Sequence, residues 1–213
     1  MVSFTTLKNY LPLSIIAFVA ITVVVFIQSE TVDKRQWSAQ NSIFSEIIPR
    51  ADYDNDLVAD TVPIMEDFRQ FLGLVASDDR DKKIHIARQN GVPFAAIIPT
   101  VALDGYSSGI KMIVGVNADG TIAGLRVTAH NETPGLADYI DVRKSNWILT
   151  FNGKDIRSDF NARQSVTKNG KTGGYDQMTG ATITRKAVIL QVKKTLSYFQ
   201  IAQPLIVAAQ SNL

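Results

Sequence analysis

The stretch Ile110-Lys-Met-Ile-Val-Gly-Val116, Asn117-Ala-Asp-Gly120, Thr121-Ile-Ala-Gly-Leu-Arg-Val-Thr128 decides the fold. Two β-branched, apolar-rich runs flank four turn-forming residues, which predicts an antiparallel hairpin. A second hairpin precedes it, with Ile84-His-Ile-Ala-Arg88, a Gln89-Asn90-Gly91 turn, and Phe94-Ala-Ala-Ile-Ile98. Helical patterns flank the hairpins. Arg35–Ile48 carries apolar residues at Trp37, Phe44, Ile47 and Ile48 before Pro49, and Val62–Ala76 reads as a helix. Helical signals return over Ala137–Phe151. In the last segment Val188, Val192, Leu196 and Phe199 fall on one face of an amphipathic helix opening near Thr182. Hairpins flanked by helices give an α+β domain, a twisted antiparallel sheet packed by helices.

Between Lys8 and Glu30 no residue is charged, and Leu11–Ile27 is almost wholly apolar. About 20 residues of helix cross a hydrocarbon core. Pro12 falls in the first turn, where its missing N–H costs nothing, and Tyr10 suits an interface. Phe26-Ile27-Gln28-Ser29-Glu30 lacks a small-residue cleavage site, so the run reads as an uncleaved anchor. Lys8 on one side and Lys34 with Arg35 on the other leave the orientation open by charge alone. The expected organisation is an anchor over 1–30, a membrane-proximal helical region over 31–80, and one domain over 81–213.

Composition narrows the chemistry. The 213 residues hold 22 Lys+Arg against 20 Asp+Glu, no Cys and two His, His85 and His130. Without cysteine there are no disulfides, thiolate zinc sites, iron–sulfur clusters or thiol catalysis. A surplus of two positive charges with no basic stripe argues against nucleic acid as a partner. No metal site and no nucleophile–base pair is visible, so redox chemistry would come from a cofactor and no residue reads as catalytic.

The segment Gly173-Gly-Tyr-Asp176-Gln-Met-Thr179-Gly180-Ala181-Thr182-Ile-Thr184 is a polar approach to a helix start. Thr179, Thr182 and Thr184 are each possible N-caps, and exposed amides beside Gly180 and Ala181 would suit a phosphate. Asp176-Gln-Met-Thr179-Gly180-Ala181-Thr182 resembles the D-x-x-[ST]-G-A-T flavinylation motif of the FMN-binding domain family. That domain occurs in the G subunit of the Rnf (Rsx) ion-translocating electron transport complex and in the C subunit of the sodium-pumping NADH:quinone reductase. His130-Asn131-Glu132-Thr133-Pro134-Gly135-Leu136 resembles the family's H-x-E-T-P-G-L segment beside the flavin. Asp104-Gly-Tyr-Ser-Ser-Gly-Ile110 resembles its glycine-rich turn into a strand, and Tyr53-Asp-Asn-Asp-Leu57 its membrane-proximal region. Ala137 departs from the glycine that often follows the leucine. Chain length and the single anchor favour the Rnf protein, with its sodium-pump relative as the alternative.

The resemblance implies covalent FMN on Thr182 through a phosphodiester, making Thr182 a phosphoryl-bearing threonine. It also implies Asp176, Thr179, Gly180 and Ala181 as the rest of the motif, and Glu132, Thr133 and Leu136 as the flavin's noncovalent neighbours. Its partners would be other Rnf subunits, the lipid bilayer and a Mg-dependent flavin transferase, with the domain on the periplasmic side of a bacterial inner membrane. The opposing reading is a cofactor-free anchored assembly domain, with Thr182 a plain helix cap. Thr133-Pro134-Gly135 is by itself a type II turn, and Tyr106 or Trp147 would either stack on a flavin or pack in the core.

Overall fold

A computed structural model describes residues 38–160 and 179–209, with three further positions, Phe18, Ile21 and Thr22, in helical conformation. Most of the expected anchor and the stretch containing Asp176 lie outside the described residues. Among the described residues no helix is long and apolar enough to cross a membrane. The chain divides into two units, Met1–Ser42 and Ile43–Leu213.

In the second unit β1 (Thr61–Pro63), β2 (Lys83–Gln89), β3 (Val92–Ala102), β4 (Ile110–Asn117) and β5 (Ile122–Ala129) form a five-stranded antiparallel meander in sequence order. The hairpin turns follow their residues. Asn90 and Gly91 both have positive φ, +52° and +76°, as the tightest two-residue turn requires. Gly120 (φ +86°) closes the β4–β5 turn. Pro99 sits inside β3 without breaking it. The Val101 amide, two residues on and on the same strand edge, leaves the sheet to reach Leu72 O at 2.9 Å. Pro99 therefore faces away from its β4 partner Ile113, and its missing donor costs that ladder nothing.

One sheet face is covered by α2 (Thr179–Ala208), 30 residues long, and by two 3₁₀ turns, Asp138–Ile140 and Trp147–Phe151. Val188, Val192, Leu196 and Phe199 are all buried there against Ile98, Met112, Val114 and Leu125. The other face carries a smaller core of Phe44, Ile47, Ile48, Tyr53, Leu57, Ala87, Ala95 and Ile97. Ile47 lies so close that a Cβ on Gly115 would stand 2.3 Å from its Cγ2, and one on Gly124 3.2 Å from its Cα. These two glycines pair across β4 and β5 and open the notch that Ile47 fills.

Three helix expectations change. Val62–Ala76 is not one helix, because Val62 pairs with Ile84 in β1 and only α1 (Glu66–Arg69) is helical beyond it. Gly73, at φ +73° with Val101 O 2.0 Å from where a Cβ would stand, ends that segment in a turn against β3. Ala137–Phe151 yields the two 3₁₀ turns, since its aromatic residues pack into the core from several directions instead of along one stripe. The final helix runs past Phe199 through Pro204 to Ala208. Upstream, residues 38–45 are helical and turns lead from them to Pro49.

Candidate functional site

The turn between β3 and β4 folds around a carboxylate. The amides of Ser107 and Ser108 donate to Glu132 Oε1 at 2.8 and 3.3 Å, and that of Tyr106 to Oε2 at 3.2 Å. Gly105 makes this wrap possible, because a Cβ there would stand 2.1 Å from Ser108 O and 3.0 Å from Glu132 Oε1. Glu132 is 5% exposed. Its fourth donor is the hydroxyl of Thr184, from the first turns of α2. Burial pushes the carboxyl pKa up, but Thr184 and the three amides outweigh it and hold Glu132 below the usual carboxylate value.

The buried Tyr139 phenol lies beside Thr184. An ionised carboxylate only accepts, so the Thr184 proton goes to Glu132. Burial is the main reason the phenol is pushed up to about 12. Tyr139 packs edge-on to Trp147 at 5.1 Å, and the Arg185 guanidinium lies 5.6 Å from the Tyr139 ring and 5.8 Å from the Trp147 ring. Three segments remote in sequence, the 104–108 turn, the 130–140 loop and the start of α2, thus converge at one carboxylate, that of Glu132.

The loop after Glu132 takes its shape from Pro134 and Gly135. Leu136 N donates to Thr133 O at 3.1 Å and Gly135 has φ +83°, the type II turn that Thr-Pro-Gly predicts. Gly135 N and the Lys144 ammonium both reach Asp138 Oδ1, holding its carboxyl below the usual range. Ala137, at φ −106°, adopts a conformation open to any L residue, so no glycine is required there.

Of the predicted site residues, Thr182 is half-buried in the first turns of α2, two positions before Thr184, and Thr179, Gly180 and Ala181 open that helix. Thr133 is exposed and Leu136 half-buried at the turn beside Glu132. Asp176 lies outside the described residues. His130 is exposed, and its Nδ1 accepts the Glu132 amide at 3.2 Å. His85 is a packing residue on β2, its ring 4.7 Å from Phe44 and its Nδ1 3.1 Å from Leu57 O. Trp147 is core at 2% exposure, whereas Tyr106 is 54% exposed beside Glu132, so only Tyr106 keeps a ring free to meet a ligand. Sequence reasoning missed Thr184 as a partner of Glu132. A threonine near a helix start reads as a cap until the fold brings it to a carboxylate.

The FMN-binding domain family matches residues 105–197, from the Gly105 turn to Ser197 of α2, so Glu132 and all four of its donors lie within the match. The chain is 40% identical over 194 residues to the G subunit of an ion-translocating oxidoreductase complex from Vibrio cholerae, covering 90% of this chain and 88% of that one. The G subunits from Pseudoalteromonas atlantica (37% over 208 residues; 96% and 93% covered) and Shewanella loihica (42% over 167; 78% and 75%) are similar. The chain belongs to the family of Rnf complex G subunits. As an Rnf relative it carries the family's FMN-binding domain on a five-stranded antiparallel sheet. The resemblance to the Rnf protein, read from the Thr182 and Glu132 motifs, agrees with these relatives over most of the chain.

Proposed function

We propose that this chain is a membrane-anchored electron-transfer subunit of an Rnf-type ion-translocating complex, carrying one FMN covalently on Thr182. The observation that carries the reading is the Glu132–Thr184 contact. It joins the two segments that resemble the family's flavin motifs, 52 residues apart, within two positions of the proposed acceptor. The site's chemistry suits the group. Thr182 offers a hydroxyl at the start of a 30-residue helix, whose amide dipoles favour a phosphodiester anion by about 0.3–1 kcal/mol. The next residue, Ile183, exposes apolar surface.

Bound FMN supplies the redox chemistry; the protein positions it and sets its electrostatics. Thr182 Oγ forms its bond to the flavin-side phosphorus of FAD as the pyrophosphate linkage breaks, with AMP leaving and the hydroxyl proton released, on a separate flavin transferase. Asp176, Thr179, Gly180 and Ala181 form the sequence that enzyme reads, and Thr133 and Leu136 flank the ring. Residues 1–30 anchor the chain by a single pass in the bacterial inner membrane. Residues 31–80 lead from the membrane and contribute β1 to the sheet. Residues 81–213 carry the cofactor on the periplasmic side, exchanging electrons with neighbouring subunits.

The test is intact mass of the full chain co-expressed with an active flavin transferase. Wild type gains one FMN less water, and Thr182→Ala gains nothing. Unmodified wild type in such cells would leave Thr182 as a helix residue of a cofactor-free assembly domain.

A further inference from the structure

Glu132 has no acceptor capacity left for a cofactor. An ionised carboxylate offers about four lone-pair sites, and four protein donors fill them, two on each oxygen. A group that touches the flavin through this carboxylate would first have to displace a backbone amide or Thr184.

Thr184 spends its proton in an unusual direction for this helix. Further along α2, the hydroxyls of Thr195 and Ser197 bond back to the carbonyls of Gln191 and Lys193, four residues earlier, at 2.9 and 3.0 Å. That is the ordinary choice for a hydroxyl inside a helix. Thr184 instead donates across to a carboxylate fixed by another turn of the chain. At 3.6 residues per turn, Thr182 and Thr184 point about 200° apart around the axis. Glu132 and the proposed acceptor therefore lie on different sides of the helix. Fixing Thr184 fixes the rotation of the turn, and with it the direction in which Thr182 leaves the surface.

On the reading of Thr182 as the flavin acceptor, we propose that Glu132 and Thr184 are a positioning pair: the carboxylate, seated on the Tyr106–Ser108 amides, holds the first turns of α2 through the Thr184 hydroxyl and sets the presentation of Thr182 to the transferase and of the attached flavin to its partners. Glu132 acts through Thr184 and does not bind the cofactor.

The experiment uses the full chain in detergent, made without the transferase, as wild type, Thr184→Val, Thr184→Ser and Glu132→Gln. Hydrogen–deuterium exchange is followed over residues 104–110 and 182–188. Loss of one hydrogen bond to a charged acceptor predicts exchange faster by roughly tenfold or more in both segments of Thr184→Val, with Thr184→Ser close to wild type. Glu132→Gln, which turns an acceptor into a donor facing amides, loosens both segments further. Each protein is then given FAD, Mg²⁺ and transferase, and flavin uptake is timed by mass. Thr184→Val should acquire FMN about tenfold more slowly and Thr184→Ser at the wild-type rate.

Wild-type exchange in either segment of Thr184→Val, or slow uptake that Thr184→Ser does not restore, overturns the pair. Should Glu132→Gln fail to fold, the two Thr184 variants decide alone. Wild type that takes up no flavin overturns the Thr182 reading, and the positioning role with it. Normal wild-type uptake with indifferent Thr184 variants overturns the pair alone.

Discussion

Arg88 and Asp60 form a buried ion pair that also ends the long helix. Arg88 Nε donates to Asp60 Oδ2 at 2.7 Å, with side chains 3% and 8% exposed, while Nη2 donates to Ala209 O, just past α2, at 2.7 Å. Asn55 completes the set, donating to Asp60 Oδ2 at 2.9 Å and accepting the Arg88 amide at 3.0 Å. The pair locks the helix end to the sheet edge, at the opposite end of α2 from Thr184.

Removing one partner leaves a buried charge uncompensated. Asp60→Asn is expected to lower stability by about 3–5 kcal/mol. Urea unfolding of the full chain checks it, and a loss below about 1 kcal/mol, the scale of an exposed pair, would mean that water reaches the freed guanidinium.

Gly105→Ala drives a methyl into Ser108 O and against Glu132 Oε1. Overpacking a turn with so little room should cost about 1–3 kcal/mol. It should also raise amide exchange at Ser107 and Ser108, whose acceptor moves. Gly120→Ala is the comparison, since its positive φ is strained but nothing lies within 4 Å of the added carbon. It should lower the melting temperature without loosening the 104–108 turn.

Lys186 is exposed and follows Thr182 by four positions, and helix side chains lean toward the N-terminus. If Thr182 carries the flavin as proposed, an i+4 ammonium is expected to offset the charge of its phosphate. Lys186→Glu should slow flavin acquisition by roughly two- to fivefold, the scale of about 0.3–1 kcal/mol, and added salt should shrink the difference. Equal uptake at low salt would remove Lys186 from the phosphate's surroundings.

Acid should destabilise the domain in two stages. Burial holds the His85 imidazole below its ordinary 6.5, partly offset by the hydrogen bond with Leu57 O. As pH falls through about 6.5, the unfolded chain binds a proton that the folded chain refuses, so stability declines until the folded histidine also titrates. Glu132 behaves alike from a lower start. Its contribution is whole above the unfolded carboxyl value near 4.5 and is lost as pH falls through its depressed folded value. Chemical denaturation across this range should show both limbs, and His85→Gln should flatten the first while leaving the second.

The strands were legible because each hairpin declares itself locally. Asn90-Gly91 and Asn117–Gly120 are turn residues between β-branched runs, and no distant contact is needed to read them. The buried face of α2 was legible for a similar reason, since Val188, Val192, Leu196 and Phe199 repeat at the helical period. Val62–Ala76 misled because its apolar residues fit a helix, while the edge of β2 offered Val62 a ladder partner that no local pattern encodes.

Sequence alone determined the two hairpins, the face that α2 buries, the type II turn at Thr133-Pro134-Gly135 and the motif ending at Thr182. Each rests on residues within one turn or one helical repeat of each other. Only tertiary structure decided that Glu132 would be saturated by Tyr106, Ser107, Ser108 and Thr184, that Tyr106 would keep an exposed ring while Trp147 went to the core, and that Arg88 would reach Ala209. A buried charge takes whichever donors the packed chain brings within about 3 Å. Those donors come from segments tens of residues away, at distances that periodicity and spacing do not carry.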